Sequence, residues 1–264
     1  MNVDTVICGD AAEVLAGLPE DRIDLTVTSP PYDNLRVYQG YVFDFEAIAK
    51  QLYRVTKSGG VVVWVVGDAT INGSETGTSF RQVLYFMSLG FNLYDTMIYH
   101  KAGFRFPDAV RYNPVFEYMF VLSRGAPKTF SPIKDKKNSY FGQRVARQSS
   151  NRDVNGSLSP NSAWKNDKNK TVNLFGKRDN VWRYIIGGKH ENHPAIFPEA
   201  LAHDHILSWS NPDDLVLDPM CGGGTTCKMA KELGRHWIGI DISEKYCELS
   251  RKRIAVARVP LFVE

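Results

Sequence analysis

The sequence predicts an α/β fold, a mostly parallel sheet with helices on both faces, interrupted by an irregular basic insertion. Short runs rich in β-branched residues recur along the 264-residue chain, each followed by a stretch of helix length. Such alternation builds parallel sheets whose crossovers cover both faces. The hydrophobic and charged fractions, 43% and 23%, are those of a globular domain with material for a sizeable core. The pattern then dissolves between about 125 and 190 into Lys, Arg, Asn, Ser and Gly, which marks the insertion.

Taken in order, "TVICGD" (5–10) reads as a strand leading into the helix "AAEVLAGL", and "IDLTVTS" (23–29) as a second, buried strand. In "FDFEAIAKQLYRVTKSGG" the residues Phe45, Ile48, Ala49, Leu52 and Val55 share one helical face, and Gly59-Gly60 is the expected C-cap. The run "VVVWVV" (61–66) is a buried strand, "SFRQVLYFMSLG" a helix, and "FNLYDTMIYH" and "VFEYMFVLS" further strands. Order returns at the helix "PEALAHDHILSWS", the strand "DLVLDPM", the helix "TTCKMAKELG", the strand "HWIGIDI" and the helix "SEKYCELSRKRIAVA". Isolated aromatics in the basic stretch, Trp164 and Trp182, read as anchors of a small core rather than as wedges between bases.

The apolar runs are too short to span a bilayer and no charged-then-apolar leader opens the chain, so a soluble cytoplasmic protein is expected. Cys8, Cys221, Cys227 and Cys247 show no C-x-x-C pairing and read as reduced thiols. The spacing of His190, His193, His203 and His205 fits no metal site, and no metal is expected. From Arg124 to Lys189 there are fifteen Lys/Arg and four Asp, a net +11. The remainder carries 17 basic and 25 acidic residues, a net −8. A basic lobe on an acidic body suits a polyanionic partner, although a solvated insertion has the same composition.

Chemistry is expected at strand ends, where ligands bind on such sheets. "DPMCGGGTT" (218–226) carries a strand into a glycine-rich turn that opens a helix. It matches neither the phosphate-loop nor the dinucleotide pattern, and taken alone it could be a structural turn. Asp241 in "GIDIS" and Asp10 in "CGDA" stand at two further strand ends, where an acid can serve as a ligand contact or simply as an N-cap. In "TSPPYD" (28–33) two prolines stiffen the chain as a strand ends, and a central strand would not tolerate them.

Together, "TSPPY" and "DPMCGGGTT" resemble the paired motifs of the DNA amino-methyltransferases, in the permuted order called the β class. "HPAIFPEALAHDHI" (193–206) and "GDAAEVLAGLPEDRIDLTVTSPPY" resemble other segments of that family, so the resemblance runs over nearly the whole chain. It implies a Rossmann-like methyltransferase sheet that binds S-adenosylmethionine. It also implies that 1–124 and 190–264 form the catalytic and cofactor-binding domain, with 125–189 an inserted target-recognition region. Ser29, Pro30, Pro31 and Tyr32 would be catalytic. The Ser29 hydroxyl and the Pro30 carbonyl would accept the N–H groups of an exocyclic amine, while Tyr32 stacks on a base flipped from the duplex. Asp241 would hold the cofactor ribose and Asp10 its adenine. Asp218, Met220, Cys221, Gly222, Gly224 and Thr225 would shape the methionine end, with His193, Pro194 and Phe197 closing the far side. Met220 stands where the family usually has Phe, and Cys221 where it has a smaller residue.

Double-stranded DNA is the implied partner, met by Arg144, Arg147, Arg152, Lys165, Lys168, Lys177 and Arg178. The resemblance leaves room for a cognate restriction endonuclease and for a homodimer. Ser before Pro-Pro-Tyr resembles the cytosine-N4 enzymes more than the adenine-N6 ones, and both bases stay open. A relative acting on RNA or a protein amide is a distant alternative, since those carry the catalytic motif after the cofactor motif.

Overall fold

The computed structural model describes residues 1–31, 43–103, 110–144, 150–160, 171–185 and 198–258. The chain divides into two compact units, Met1–Ser131 with Asn180–Glu264, and Pro132–Asp179.

The first unit is built on β1 (Thr5–Cys8), β2 (Ile23–Thr28), β3 (Thr56–Val66), a small hairpin of β4 (Thr70–Ile71) and β5 (Ser74–Glu75), then β6 (Asn92–Ala102) and β7 (Phe116–Ser123). The second unit holds β8 (Lys136–Lys137), β9 (Ser150–Arg152), β10 (Leu158–Pro160) and β11 (Phe175–Gly176). The chain then returns to the first unit with β12 (Val181–Ile185), β13 (Leu215–Asp218) and β14 (His236–Asp241). Eight strands form one sheet in the order β1-β14-β13-β2-β3-β7-β6-β12. Every pair is parallel except β3/β7 and β6/β7.

Helices α1 (Ala11–Ala16), α2 (Phe45–Val55) and α3 (Thr78–Ser88) pack in series on one another, and α4 (Glu199–Trp209), α5 (Thr225–Glu232) and α6 (Glu244–Ala255) form a second series. The first series closes the larger core. The apolar face of α2 buries Ile48, Ala49, Leu52 and Val55 against Leu15, Ile23, Val62 and Trp64. Trp64 is fully buried, with Phe45 tilted against it and Phe86 edge-on, and its indole N–H donates to Gln82 Oε1 at 2.8 Å. Burying a side chain of that size stabilises the fold by about 2–3 kcal/mol, provided its polar atom is satisfied, as here.

Two expectations change. Helix α2 ends at Val55 and not at Gly59-Gly60, because Thr56 is already extended and its Oγ1 donates to Leu52 O at 2.6 Å, closing the helix. Gly59, at φ +80°, instead bends β3 beside the register shift opposite Ile23/Leu25, and a Cβ on Gly60 would lie 3.0 Å from Ile23 O. The irregular stretch is also shorter than its composition suggests. "VWRYI" adds a parallel strand beside β6, and Trp182 is buried in the first unit, 4.6 Å from the His205 ring. Trp164 lies outside the described residues.

The second unit is sparse in regular structure. It contains the two-stranded pairs β8/β11 and β9/β10, the latter turning through Asp153–Ser157. Lys136 pairs with Asp179 at 2.7 Å, and Arg178 Nε donates to Asp135 Oδ2 at 2.8 Å. Among the described residues, no helix is long and apolar enough to cross a membrane.

Candidate active site

Four adjacent strands, β1, β14, β13 and β2, run parallel and end on the same edge of the sheet. Their carboxyl ends carry Asp10, Asp241, Asp218 and Ser29 in that spatial order. Neighbouring strands lie about 4.8 Å apart, so this row spans roughly 15 Å. Three carboxylates and one hydroxyl thus line an edge whose strands come from both ends of the chain.

Asp10 N-caps α1, with Oδ1 accepting from the amides of Ala12 (2.8 Å) and Glu13 (3.1 Å). Asp241 is opposite Cys8 and anchors the next turn twice. Its Oδ2 accepts from Gly222 N at 2.8 Å and its Oδ1 from Ser243 N at 2.9 Å. Burial pushes its carboxyl above the ordinary range, and the two amides oppose that shift.

Asp218 is 6% exposed and is pushed up to about 6 by burial, with the Asp241 charge adding slightly. Bonds from Thr28, Thr226 and the Met220 amide work the other way. Its Oδ1 accepts from Thr28 Oγ1 at 2.8 Å and from Met220 N at 3.2 Å.

The turn after Asp218 is wound tightly. Gly222 and Gly224 have φ of +47° and +74°, conformations that favour glycine. A Cβ on Gly224 would lie 2.8 Å from Ser250 Oγ, and one on Gly223 2.7 Å from Arg253 Nη1. Helix α6 grips the turn from behind, since Ser250 Oγ donates to Gly222 O at 2.6 Å and Arg253 Nη1 to Gly223 O. Arg253 Nη2 also bonds Glu199 Oε1 at 2.9 Å, as does Lys228 Nζ at 2.8 Å, which ties the start of α4 to the same turn.

Cys221 is 5% exposed, and its thiol, beside Cys227 and buried, is pushed well up. The side chain packs beneath the turn near Ser250, so what it offers the edge is its backbone. Thr225 is likewise buried, within 3.3 Å of Arg253 Nη1. Ser29 is half-buried, Pro30 buried and Pro31 half-buried at the end of β2. Tyr32, His193, Pro194 and Phe197 lie outside the described residues, as do Arg147, Lys165 and Lys168. In the second unit Arg144, Arg152 and Lys177 are exposed, whereas the Arg178 guanidinium is committed to Asp135.

Sequence reasoning passed over Thr28, Thr226, Glu199, Lys228, Ser250 and Arg253. The first two sit inside the quoted motif segments. The other four sit in helices with no local signal, and only the folded chain brings them to the turn.

A family model described as DNA methylase, of the N6/N4 type, matches residues 23–252. The chain belongs to that family. The orphan methyltransferase M.BamHII of Bacillus amyloliquefaciens is 52% identical over 239 residues, covering 88% of each chain. The DNA adenine methyltransferase YhdJ of Escherichia coli K12 is 27% identical over 96% of this chain and 83% of its own. A Thermus thermophilus protein solved with S-adenosyl-L-methionine superimposes with a TM-score of 0.63 at 25% identity, covering 98% of this chain and 97% of that one.

This N6/N4 methylase is therefore an S-adenosylmethionine-dependent DNA methyltransferase built on the expected fold. Its edge fits the cofactor. A turn drawn down on two left-handed glycines lets a ligand approach the backbone closely, and the row of carboxylates suits a cationic donor with a ribose.

Proposed function

We propose that this methyltransferase modifies the N4 amine of cytosine in duplex DNA, working on a nucleotide flipped out of the helix. The observation that carries this reading is the adjacency of β2 and β13. Their register, Leu217↔Thr26, brings the Ser29 turn and the 218–226 turn to neighbouring positions on one edge. Bound S-adenosylmethionine supplies an electrophilic methyl group on a sulfonium. The protein's part is to hold and aim. Asp10 takes the adenine end, Asp241 the ribose and Asp218 the methionine end, within the turn of Met220, Cys221, Gly222, Gly224 and Thr225. His193, Pro194 and Phe197 close the other side.

An exocyclic amine is a poor nucleophile because its lone pair is delocalised into the ring. The Ser29 hydroxyl and the Pro30 carbonyl accept its two N–H bonds and draw the nitrogen towards tetrahedral geometry. Pro31 fixes the direction of that carbonyl by restricting the backbone before it. Tyr32 supports the base by stacking. Placement of this kind contributes about 7–11 kcal/mol to a bimolecular step.

The unit Pro132–Asp179 is assigned to target recognition. Exposed Arg144, Arg152 and Lys177, with Arg147, Lys165 and Lys168, meet phosphates and base edges, while Arg178 braces the unit through Asp135. The name M.BamHII carries, orphan, supports an enzyme that works without a cognate endonuclease.

Cytosine is favoured by Ser29 at the head of the motif. A second reading, adenine N6, is favoured by the likeness to YhdJ. Unmodified genomic DNA, incubated with enzyme and cofactor and digested to nucleosides, distinguishes them by mass spectrometry. N4-methylcytosine is expected. N6-methyladenine would overturn the choice of base, and no methylated nucleoside would overturn the whole reading.

A further inference from the structure

The ladder pairing of β2 with β13 covers Leu25–Val216 and Thr26–Leu217 and reaches no further. Beyond it β2 stays paired with β3 as far as Thr28 and β13 with β14 as far as Asp218, while between β2 and β13 themselves two hydroxyls make the bridge. Thr28 Oγ1 donates to Asp218 Oδ1 at 2.8 Å, and Thr226 Oγ1 donates back to Val27 O at 3.1 Å. Both donors are buried, at 1% exposure each. The oxygen that Thr28 meets also accepts from Met220 N, inside the cofactor turn. One carboxylate oxygen is thus shared by the residue before Ser29 and by the turn that carries Gly222 and Gly224.

We propose that Thr28 is a positioning residue for methyl transfer, its hydroxyl fixing the Ser29 turn at a set distance from the 218–226 turn. The inference rests on the reading of those two turns given above. Two reactants about 3–3.5 Å apart tolerate little error, and a misplacement of about 1 Å costs about 10²-fold in rate. Prolines make the Ser29 turn stiff within itself, but stiffness does not locate it. A stiff turn needs an anchor at its root, and Thr28 is the residue at that root.

The test compares Thr28→Val, which keeps the shape and removes the hydroxyl, with Thr28→Ser, which keeps the hydroxyl. Methyl transfer to DNA, cofactor affinity by calorimetry and thermal unfolding are measured on each full-length protein. Thr28→Val is expected to lose up to about 10²-fold in kcat while cofactor affinity and melting change little, and Thr28→Ser to stay close to the parent. Parental kcat in Thr28→Val would overturn the proposal. So would a loss that only tracks cofactor affinity or melting, or an equal loss in Thr28→Ser. Ser29→Ala run alongside separates the two ideas. A fully active Ser29→Ala sinks the base-pocket reading, whereas an inactive one beside a fully active Thr28→Val sinks the tether alone.

Discussion

The two units use their charged residues in opposite ways. On the sheet edge of the first, the carboxylates are few, partly or wholly buried, and each is held by backbone amides or hydroxyls at named atoms. In the second, charges are many and partly or wholly exposed. The side chains of Lys136 and Asp179 keep 53% and 64% of their surface, and those of Arg178 and Asp135 keep 25% and 49%. Chemistry on a sub-ångström tolerance calls for the first arrangement. Contact with a polyanion, the role proposed for the second, draws its energy from counterion release and asks only for exposed cations. The difference teaches that stability and affinity should answer to different variables in the two units.

The largest expected effect is ionic. If the basic unit and its neighbours contact 6–10 phosphates, raising salt from 50 to 200 mM weakens DNA binding by about 10³–10⁵-fold, while cofactor affinity stays nearly flat. Fluorescence anisotropy with a duplex checks the first arm and calorimetry the second. A flat DNA response would dissolve the contrast between the units.

Next come the groups assigned to the amine. Ser29→Ala and Tyr32→Ala should each lose about 10²-fold or more in turnover with cofactor binding nearly intact, as measured by tritiated-methyl transfer beside calorimetry. Retained turnover in both would remove the rigid edge from the reaction.

Acidity gives a third test. Asp218 titrates near 6 because burial disfavours its charge. Its ionised form is the one that suits a cationic cofactor, so affinity should fall as pH drops through about 6, approaching tenfold per unit below it. Without cofactor the same group runs the other way. Its folded value lies above its unfolded one, so the stability it lends is fully present below the ordinary carboxylate range and is lost as pH rises through about 6. Melting temperature against pH, with and without cofactor, should therefore show slopes that this residue bends in opposite senses. Identical slopes would mean that Asp218 is not at the cofactor.

The smallest effect sharpens the comparison from within. Arg253→Met removes bonds to Gly223, Thr225 and Glu199 and should cost about 1–2 kcal/mol of stability with weaker cofactor binding. Lys136→Ala, which breaks an exposed pair, should cost under about 1 kcal/mol. Chemical denaturation of both variants measures the gap, and equal losses would contradict it.

What could be read from the chain follows from how far each signal reaches. The apolar faces of α2 and the β-branched runs are local, and the elements they predict are present. Gly59 misled because a glycine that bends a strand and one that ends a helix look alike in sequence, and Thr56 decided between them. Strand β12 was hidden because "VWRYI" is flanked by Lys, Arg and Asn, and its partner β6 lies some eighty residues upstream. At the site, the motif residues announced themselves. Thr28 stands in the motif segment, but its bond to Asp218 spans 190 positions, and Arg253 sits among repeating charges on α6, so neither partnership left a local trace.

The sheet is assembled from two stretches of chain that interleave. Strands from 1–131 pair with strands from 180–264 at β1/β14, β2/β13 and β6/β12. Neither stretch contains both the Ser29 turn and the glycine turn. A polypeptide severed within 132–179 would leave each fragment with unpaired strand edges that only the other can satisfy, and with half of the proposed reaction centre. Methylation would then report the reunion of the halves, which makes the enzyme a natural starting point for a split reporter written into DNA.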